Sequence, residues 1–443
     1  MKQKTGSPSV DLGQKIPAQA AAPAKAPSER YHGLDALRGF ALLLGVVLHG
    51  TLSFIPGFHY TGWPIVDNSP SSPLALAYFV IHLFRMPVFF LLAGFFGRMQ
   101  YRRLKARGFF KERSKRILLP LLFGILLVLP ANVILVAVVL GIKGPVDSLV
   151  PTRAIVPIPL AHLWFLWVLY WLYVAVLVGH KVLGLFRKGG ESPSASASGG
   201  NVLERFLGRV CALGAEPAVL ALPVALCLYF FDQWHLWEGL PTPNTDLVPQ
   251  LPTAVGYAVA FSFGWYLQKN PAILQGWRTR WIGYVAAAAA VTAATAALGG
   301  FDPQSSVVTV DGHVELEALT GSTKLLCALG YGLAGWLWTL GLVGAALHFF
   351  SGFSPVRRYI ADASYWIYII HMPLVMALQV LMRDWPLNWA LKYPLILAIA
   401  LPILFLSYHY LVRSTWIGKM LNGRRYPRTL PADPAARPAA GAS

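Results

Sequence analysis

Residues 37–50 read LRGFALLLGVVLHG, and Arg38 and His49 are the only polar side chains among them. Eleven residues of helix turn through about 1100° and rise about 16 Å, so both side chains project from one face, near opposite ends of a membrane span. An ionisable residue at membrane depth is costly and indicates function. The stretch therefore predicts a spanning helix with one face turned away from lipid.

Similar apolar stretches recur along the whole chain of 443 residues. Hydrophobic residues make up 56% and charged residues 13%, and the mean hydropathy is +0.54. Soluble domains are roughly 25% charged, and a bilayer core is spanned by about 20 apolar residues. We predict an all-α polytopic membrane protein of about ten transmembrane helices, near 34–56, 74–98, 117–142, 160–183, 214–232, 252–268, 281–299, 322–349, 358–381 and 390–414.

Positive charge alternates between the connections that join these segments. The connection 98–116 holds nine Lys and Arg residues and 181–209 holds five, whereas 57–73, 232–251 and 300–320 hold none. Basic connections stay on the cytoplasmic side of a membrane. The pattern predicts cytoplasmic N and C termini. It also accounts for the net charge of +18, so we expect no nucleic-acid partner.

Three polar regions are rich in Ala, Pro, Ser, Gly and basic residues, a composition typical of disorder. We predict a disordered cytoplasmic tail at 1–31, a transmembrane domain at 32–416 with a flexible cytoplasmic linker at 187–202, and a basic, disordered cytoplasmic tail at 417–443. Residues 1–31 lack the apolar core of a signal peptide. The three cysteines have neither metal-site nor disulfide spacing, and we expect no metal site.

The first span carries the strongest candidate for chemistry. A neutral imidazole accepts a proton near pH 7, so His49 suits a general base that acts on a hydroxyl. The alternative is a histidine that bonds to a neighbouring helix. Arg38, at the cytoplasmic edge, is equally consistent with an interfacial anchor whose charge reaches the headgroups.

The second span places Arg85 near mid-membrane, and His82 lies three residues earlier on the same face. No acidic residue lies deep in any predicted span. Because arginine keeps its proton, Arg85 requires helix carbonyls, a water-filled cavity or an anionic ligand. We favour the ligand over a structural role.

Two later spans add further polar side chains. His162 opens the fourth span beside Trp164, where an aromatic belt explains the tryptophan and a sugar-stacking surface is the alternative. Ser364, Tyr368 and His371 share one face of the ninth span. That face indicates either a packed polar network or a part of the site.

Four stretches together resemble the acyltransferase 3 family of membrane-bound O-acyltransferases. They are LDALRGFALLLGVVLH (34–49), FRMPVFFLLAGFF (84–96), HLWFLWVLYWLY (162–173) and SYWIYIIHMPL (364–374), and the similarity extends over about residues 30–415. Each motif alone is weak, but four in the family's order are specific. The resemblance implies a bacterial inner-membrane enzyme in which His49 is catalytic.

The second, third and fourth stretches are similar to family members that succinylate periplasmic glucans. That similarity implies acyl-CoA, with succinyl-CoA favoured, as co-substrate rather than a tightly bound cofactor, and a glucan acceptor outside. Arg85 then stabilises charge on the reacting oxygen, with His82, or neutralises the free carboxylate of a succinyl group. Donor-binding candidates are Arg38, Arg102, Arg103, Arg113 and Arg116; acceptor-binding or supporting candidates are His82, His162, Trp164, Ser364, Tyr368 and His371.

Several alternatives stay open at the level of sequence. Transfer is either direct or through an acyl group on His49. The acceptor is a periplasmic glucan, or else O-antigen, peptidoglycan or a small molecule. A transporter of acyl groups or solutes without chemistry also places His and Arg in a membrane. The basic residues of the connection 98–116 are either explained by membrane topology alone or bind a nucleotide. The small-residue faces also allow a homo-oligomer.

Overall fold

Helices dominate the computed structural model, which describes residues 31–61, 63–139, 141, 160–187, 202–232, 234–243, 247–310 and 313–429. The helices are α1 His32–Thr51, α2 Ser72–Arg113, α3 Leu119–Val139, α4 Trp164–Arg187, α5 Val202–Leu213, α6 Glu216–Tyr229, α7 Leu251–Lys269, α8 Ile273–Gly299, α9 Gly321–Phe349, α10 Pro355–Met382, α11 Trp389–Ser407 and α12 Trp416–Asn422. An antiparallel hairpin, β1 Val307–Val310 and β2 His313–Leu316, is the one addition to the predicted all-α class within the described residues.

The described residues contain seven helical stretches long and apolar enough to cross a membrane, or eight if the bent pair α5–α6 forms one span. One stretch, Ser72–Val139, has 68 residues. At about 1.5 Å per residue it would extend about 100 Å, several times the hydrocarbon thickness. Lys105, with a φ of 57°, interrupts α2, and a π-turn at Ser114–Leu118 separates α2 from α3. Ten spans and cytoplasmic termini remain predictions.

Helices α1 and α10 run parallel and bring their polar faces together. A Cβ on Gly39 would lie 3.0 Å from the Cα of Ala361. About three turns further along α1, the Gln379 amide donates to the carbonyls of His49 at 2.9 Å and Gly50 at 3.2 Å. This contact fixes the end of α1 at which His49 lies.

Helices α2 and α7 cross at backbone contact because both carry glycine there. A Cβ on Gly94 would lie 2.0 Å from the carbonyl oxygen of Phe261, and one on Gly264 would lie 1.9 Å from that of Leu91. Small residues allow such close approach between membrane helices. Glycine at these two positions therefore permits the crossing.

The segment 63–72 is tied to the α10–α11 turn by a buried ion pair. The Lys392 ammonium, which is fully buried, donates to Asp67 at 3.0 Å, to Asn68 at 2.7 Å and to the carbonyl of Arg383 at 3.0 Å. Three acceptors match the three donors of an ammonium. The tie holds the segment that begins at Trp63.

Residues 417–429, the first part of the predicted basic and disordered tail, have a defined structure. Helix α12 begins this region, and the fully buried Arg413 donates to the carbonyls of Pro427 at 2.6 Å and Thr429 at 2.9 Å. A buried guanidinium must have acceptors, and the returning main chain supplies them. Residues 1–30, 188–201 and 430–443, to which the other predictions of disorder apply, lie outside the described residues.

Candidate active site

A cavity of about 570 Å³ lies among α1, α2, α3, the start of α4, α10 and the connection 231–250. Pockets that hold small molecules have volumes of roughly 300–1,000 Å³. On α1 the cavity wall runs from His49 to Leu42, one turn from Arg38. Its polar wall residues are His49, Tyr78, His82, Arg85, Asn132, His162, Glu238, Thr242, Gln250 and Tyr368.

Three histidines from three different helical segments meet at this cavity. The ring centroids are 5.2 Å apart for His49 and His371, 4.9 Å for His162 and His371, and 6.3 Å for His49 and His162. His49 and His162 lie on the wall, and His371 packs behind them. The structure thus brings together histidines that the sequence separates by more than 300 residues.

One carbonyl orients two of these rings. The Tyr368 carbonyl accepts from His371 Nδ1 at 2.8 Å and from His162 Nε2 at 3.0 Å. A carbonyl only accepts, so the protons lie on those two nitrogens. The opposite nitrogens, Nε2 of His371 and Nδ1 of His162, are buried without a hydrogen-bond partner among the described residues, and so is Nδ1 of His49. These three ring nitrogens therefore have unused hydrogen-bonding capacity.

His162 reaches the cluster through a strained turn. Ala161 has a φ of 44°, in the left-handed region, and begins the 3₁₀ turn Ala161–Leu163 that precedes α4. Such a conformation in a non-glycine residue costs about 1–3 kcal/mol and is typical of functional sites. The Tyr368 hydroxyl donates to the His162 carbonyl at 2.8 Å and holds the turn.

Arg85 lies in the cavity wall without an acidic partner among the described residues. Its Nε is buried and unpaired, and the ionisable side chains around it include Tyr368, Tyr257 and Tyr78 as well as the histidines of the site. A Cβ on Gly45 would lie 2.7 Å from Arg85 Nη1 and 3.8 Å from His371 Nε2. Gly45 is one helical turn from His49, so the guanidinium occupies the space that this glycine leaves beside His49.

The connection 231–250 folds back over α2 and covers His82. A Cβ on Gly239 would lie 2.9 Å from His82 Nε2, and His82 hydrogen-bonds to the main chain of Glu238. Burial raises the pKa of the Glu238 carboxyl above its usual range, and His235 opposes the shift. Glu238 therefore adds a partly buried acid to the cavity wall.

Two of the predicted acceptor residues have structural partners. Trp164 is buried and stacks on Tyr257 with centroids 5.5 Å apart, so Tyr257 occupies one of its ring faces. Ser364 donates to the carbonyl of Ala361 at 3.0 Å and does not line the cavity.

The predicted donor-binding arginines lie away from the cavity wall. Arg38 pairs with Asp35 at 3.3 Å, and Arg116 pairs with Glu112 at 2.5 Å. Arg113 lies 4.7 Å from the centroid of the Tyr173 ring and bonds to Gln100. Arg102 and Arg103 are exposed. None of the five touches the histidine cluster.

Four wall or contact residues were not anticipated from sequence. Asn132 is the only polar side chain in α3, a signal that was available. Gly45 precedes His49 by one turn, but its contact with Arg85 depends on packing. Trp63 and Glu238 belong to connections, whose return into the cavity no periodicity indicates. Among the described residues, no group of His, Cys, Asp and Glu is arranged to hold a metal ion.

Comparison with known proteins gives a family match over most of the chain. The acyltransferase domain model of the acyltransferase 3 family matches residues 31–409. Glucans biosynthesis protein C of Escherichia coli (strain SMS-3-5 / SECEC) is 37% identical over 28% of this chain and 30% of its own length. The protein of the same name from Shigella dysenteriae serotype 1 is 36% identical over 32% of this chain and 37% of its own. The chain thus matches only about a third of these relatives' length. No solved structure matches.

Proposed function

Because the chain belongs to the acyltransferase 3 family, we propose that it is a multi-pass inner-membrane O-acyltransferase. It transfers an acyl group, in our proposal succinyl, from cytoplasmic acyl-CoA to sugar hydroxyls of a periplasmic glucan. The names of its partial relatives support the glucan. With ten spans and cytoplasmic termini, Arg38 lies on the donor side and His49 towards the acceptor side.

The proposal rests on the arrangement of two side chains in the cavity wall. His49 has an unpartnered ring nitrogen, and the Arg85 guanidinium lies beside Gly45, one helical turn from His49. In the reaction, His49 takes the proton of a sugar hydroxyl as its oxygen bonds to the thioester carbon. Arg85 stabilises the negative charge that develops on the carbonyl oxygen. The carbon–sulfur bond then breaks, and the imidazolium returns its proton to the CoA thiolate.

His162 and His371 are positioning residues in this scheme. Their rings pack against the ring of His49, and both are oriented by the carbonyl of Tyr368. A general base requires fixed geometry relative to the hydroxyl. His82 supports Arg85 from the same face of α2, and the 231–250 connection holds His82 in place.

The donor nucleotide binds on the cytoplasmic face of the basic connection. Arg102 and Arg103 are exposed and available to bind its phosphates. Arg113 and Arg116 already have partners, so they contribute to nucleotide binding through their positive charge near the phosphates. The acyl arm then passes Arg38 and Leu42 along the face of α1 that ends at His49. Transfer is direct, without an acyl-enzyme.

Mass spectrometry of periplasmic glucans tests the proposal. Cells that contain the protein should yield glucans with mass increments of succinyl groups and added negative charge, and cells without it should yield neutral glucans. Unchanged glucans in both would contradict the glucan as acceptor. Acetyl increments in place of succinyl would contradict the donor.

A further inference from the structure

The cavity wall contains two buried polar groups that the transfer step does not use. The Asn132 side chain belongs to a residue that is only 9% exposed, and its Oδ1 has no hydrogen-bond partner among the described residues. The indole Nε1 of Trp63 is likewise buried and unpaired. Both residues line the cavity. Unpaired buried polar atoms are costly, so these two groups indicate a ligand.

The two residues lie in the same part of the wall. Trp63 and Val136 both pack against the buried cluster formed by Ile65, Met372 and Met376. Val136 follows Asn132 by one turn of α3, so the two share a face. The apolar cluster supplies packing, while the amide and the indole supply hydrogen bonds. This arrangement is typical of a small-molecule site.

The chemistry of the two groups selects a class of ligand. An indole N–H only donates, and an amide oxygen only accepts. A thioester carbonyl or a carboxylate cannot donate to Asn132 Oδ1. A hydroxyl does both, so neighbouring hydroxyls of one sugar satisfy both groups.

We propose that Asn132 and Trp63, together with Glu238, form the subsite that binds hydroxyls of the acceptor sugar. The inference rests on the proposed function, because it names where that enzyme's acceptor binds. The connection that supplies Glu238 also supplies Thr242 and Gln250, two further hydrogen-bonding side chains on the wall.

Kinetics with a neutral gluco-oligosaccharide and acyl-CoA test the subsite on the purified full chain. Asn132→Leu removes the amide at similar volume, and Trp63→Phe removes the N–H but keeps a ring. Loss of one hydrogen bond of about 1.4 kcal/mol corresponds to about a tenfold change. We expect the acceptor KM to rise about tenfold in each variant, with the acyl-CoA KM unchanged. Asn270→Leu, in the α7–α8 connection and absent from the cavity wall, is the matched control.

Equilibrium binding of the same oligosaccharide separates this proposal from the proposed function. If the wild-type protein transfers no acyl group but binds the sugar, and the two variants bind about tenfold more weakly, the subsite stands and the reaction is wrong. If the wild type transfers normally and both variants keep its acceptor KM and Kd, the subsite is wrong and the reaction stands. Absence of sugar binding by the wild type overturns the subsite. Trp63→Phe keeps the test decisive if Asn132→Leu fails to fold.

Discussion

In the proposed mechanism, Gly45 leaves room for the Arg85 guanidinium because it has no side chain. In Gly45→Ala the new Cβ would lie 2.7 Å from Arg85 Nη1, and the flexible guanidinium would move rather than the helix. We expect kcat to fall about 10–100-fold, since a displacement near 1 Å has that effect, with little change in thermal stability. Gly283→Ala, with nothing within 4 Å, should keep full activity. Equal activity of the two variants would contradict the position assigned to Arg85.

Arg85 also allows a test of donor choice. Arg85→Met removes the charge and keeps much of the length of the side chain. If the guanidinium binds the free succinyl carboxylate, transfer from succinyl-CoA should fall about tenfold more than transfer from acetyl-CoA. If it stabilises the oxyanion alone, both donors should lose activity equally, by about 10²–10³-fold. Parallel assays with the two donors distinguish these roles.

Glu238 should make stability depend on pH. Burial raises the pKa of its carboxyl, so the folded state binds more protons than the unfolded state, and this contribution to stability is lost as pH rises through the raised pKa. The groups that face it are His235, His82 and Tyr78. Glu238→Gln should therefore unfold at a higher temperature than wild type at about pH 8, and the difference should shrink towards about pH 5.

The exposed Glu317→Gln controls for loss of a carboxylate in the same assay. It should follow the wild-type unfolding temperature across the pH series. A constant difference between Glu238→Gln and wild type at all pH values would show that the carboxyl is not perturbed.

At the scale of single residues, candidate site residues could be predicted from the sequence wherever an ionisable residue interrupts an apolar run. His49, Arg85, His162 and His371 stand out for that reason, and the structure places the first three in one cavity wall with His371 packed behind them. Asn132 carries a weaker signal because an amide costs less in a membrane than a charge. Trp63 could not be found, since its role depends on how a connection folds.

At the scale of elements, the α2–α7 crossing is the most sensitive contact. In Gly264→Ala the Cβ would meet the Leu91 carbonyl oxygen at 1.9 Å, and main chain cannot move aside as a side chain can. We expect a loss of about 1–3 kcal/mol in the free energy of unfolding, measured by thermal unfolding in detergent. Gly283→Ala should instead stabilise its helix by up to about 1 kcal/mol. An unchanged midpoint for Gly264→Ala would contradict the close crossing.

The sequence predicts the helices whose positions are determined by hydropathy. A helix lies at each predicted apolar segment, because burial in lipid requires internal hydrogen bonding. The hairpin β1–β2 and the ordered residues 417–429 were missed. Both are too short for hydropathy to indicate them, and residues 417–429 are ordered by bonds to Arg413 that no local pattern contains.

For the whole molecule, the extent of the cavity is consistent with the proposal that one site serves two substrates from opposite sides of a membrane. On α1 the wall reaches Leu42 towards the predicted cytoplasmic end, while Trp63 and Gln250 line it from connections predicted to be external. A transporter would also need such a path. An acyltransferase forms a covalent bond between the acyl group and the acceptor, whereas a transporter does not. In our proposal, His49 is the residue that this bond formation requires.

The most direct test uses vesicles that contain the reconstituted protein, with acyl-labelled CoA on one side and a neutral gluco-oligosaccharide on the other. Wild type and His348→Ala, which changes an exposed histidine outside the cavity, should transfer label covalently to the sugar. His49→Ala should reduce transfer by at least about 100-fold while still binding both substrates. Covalent transfer by His49→Ala at the wild-type rate would contradict the central claim.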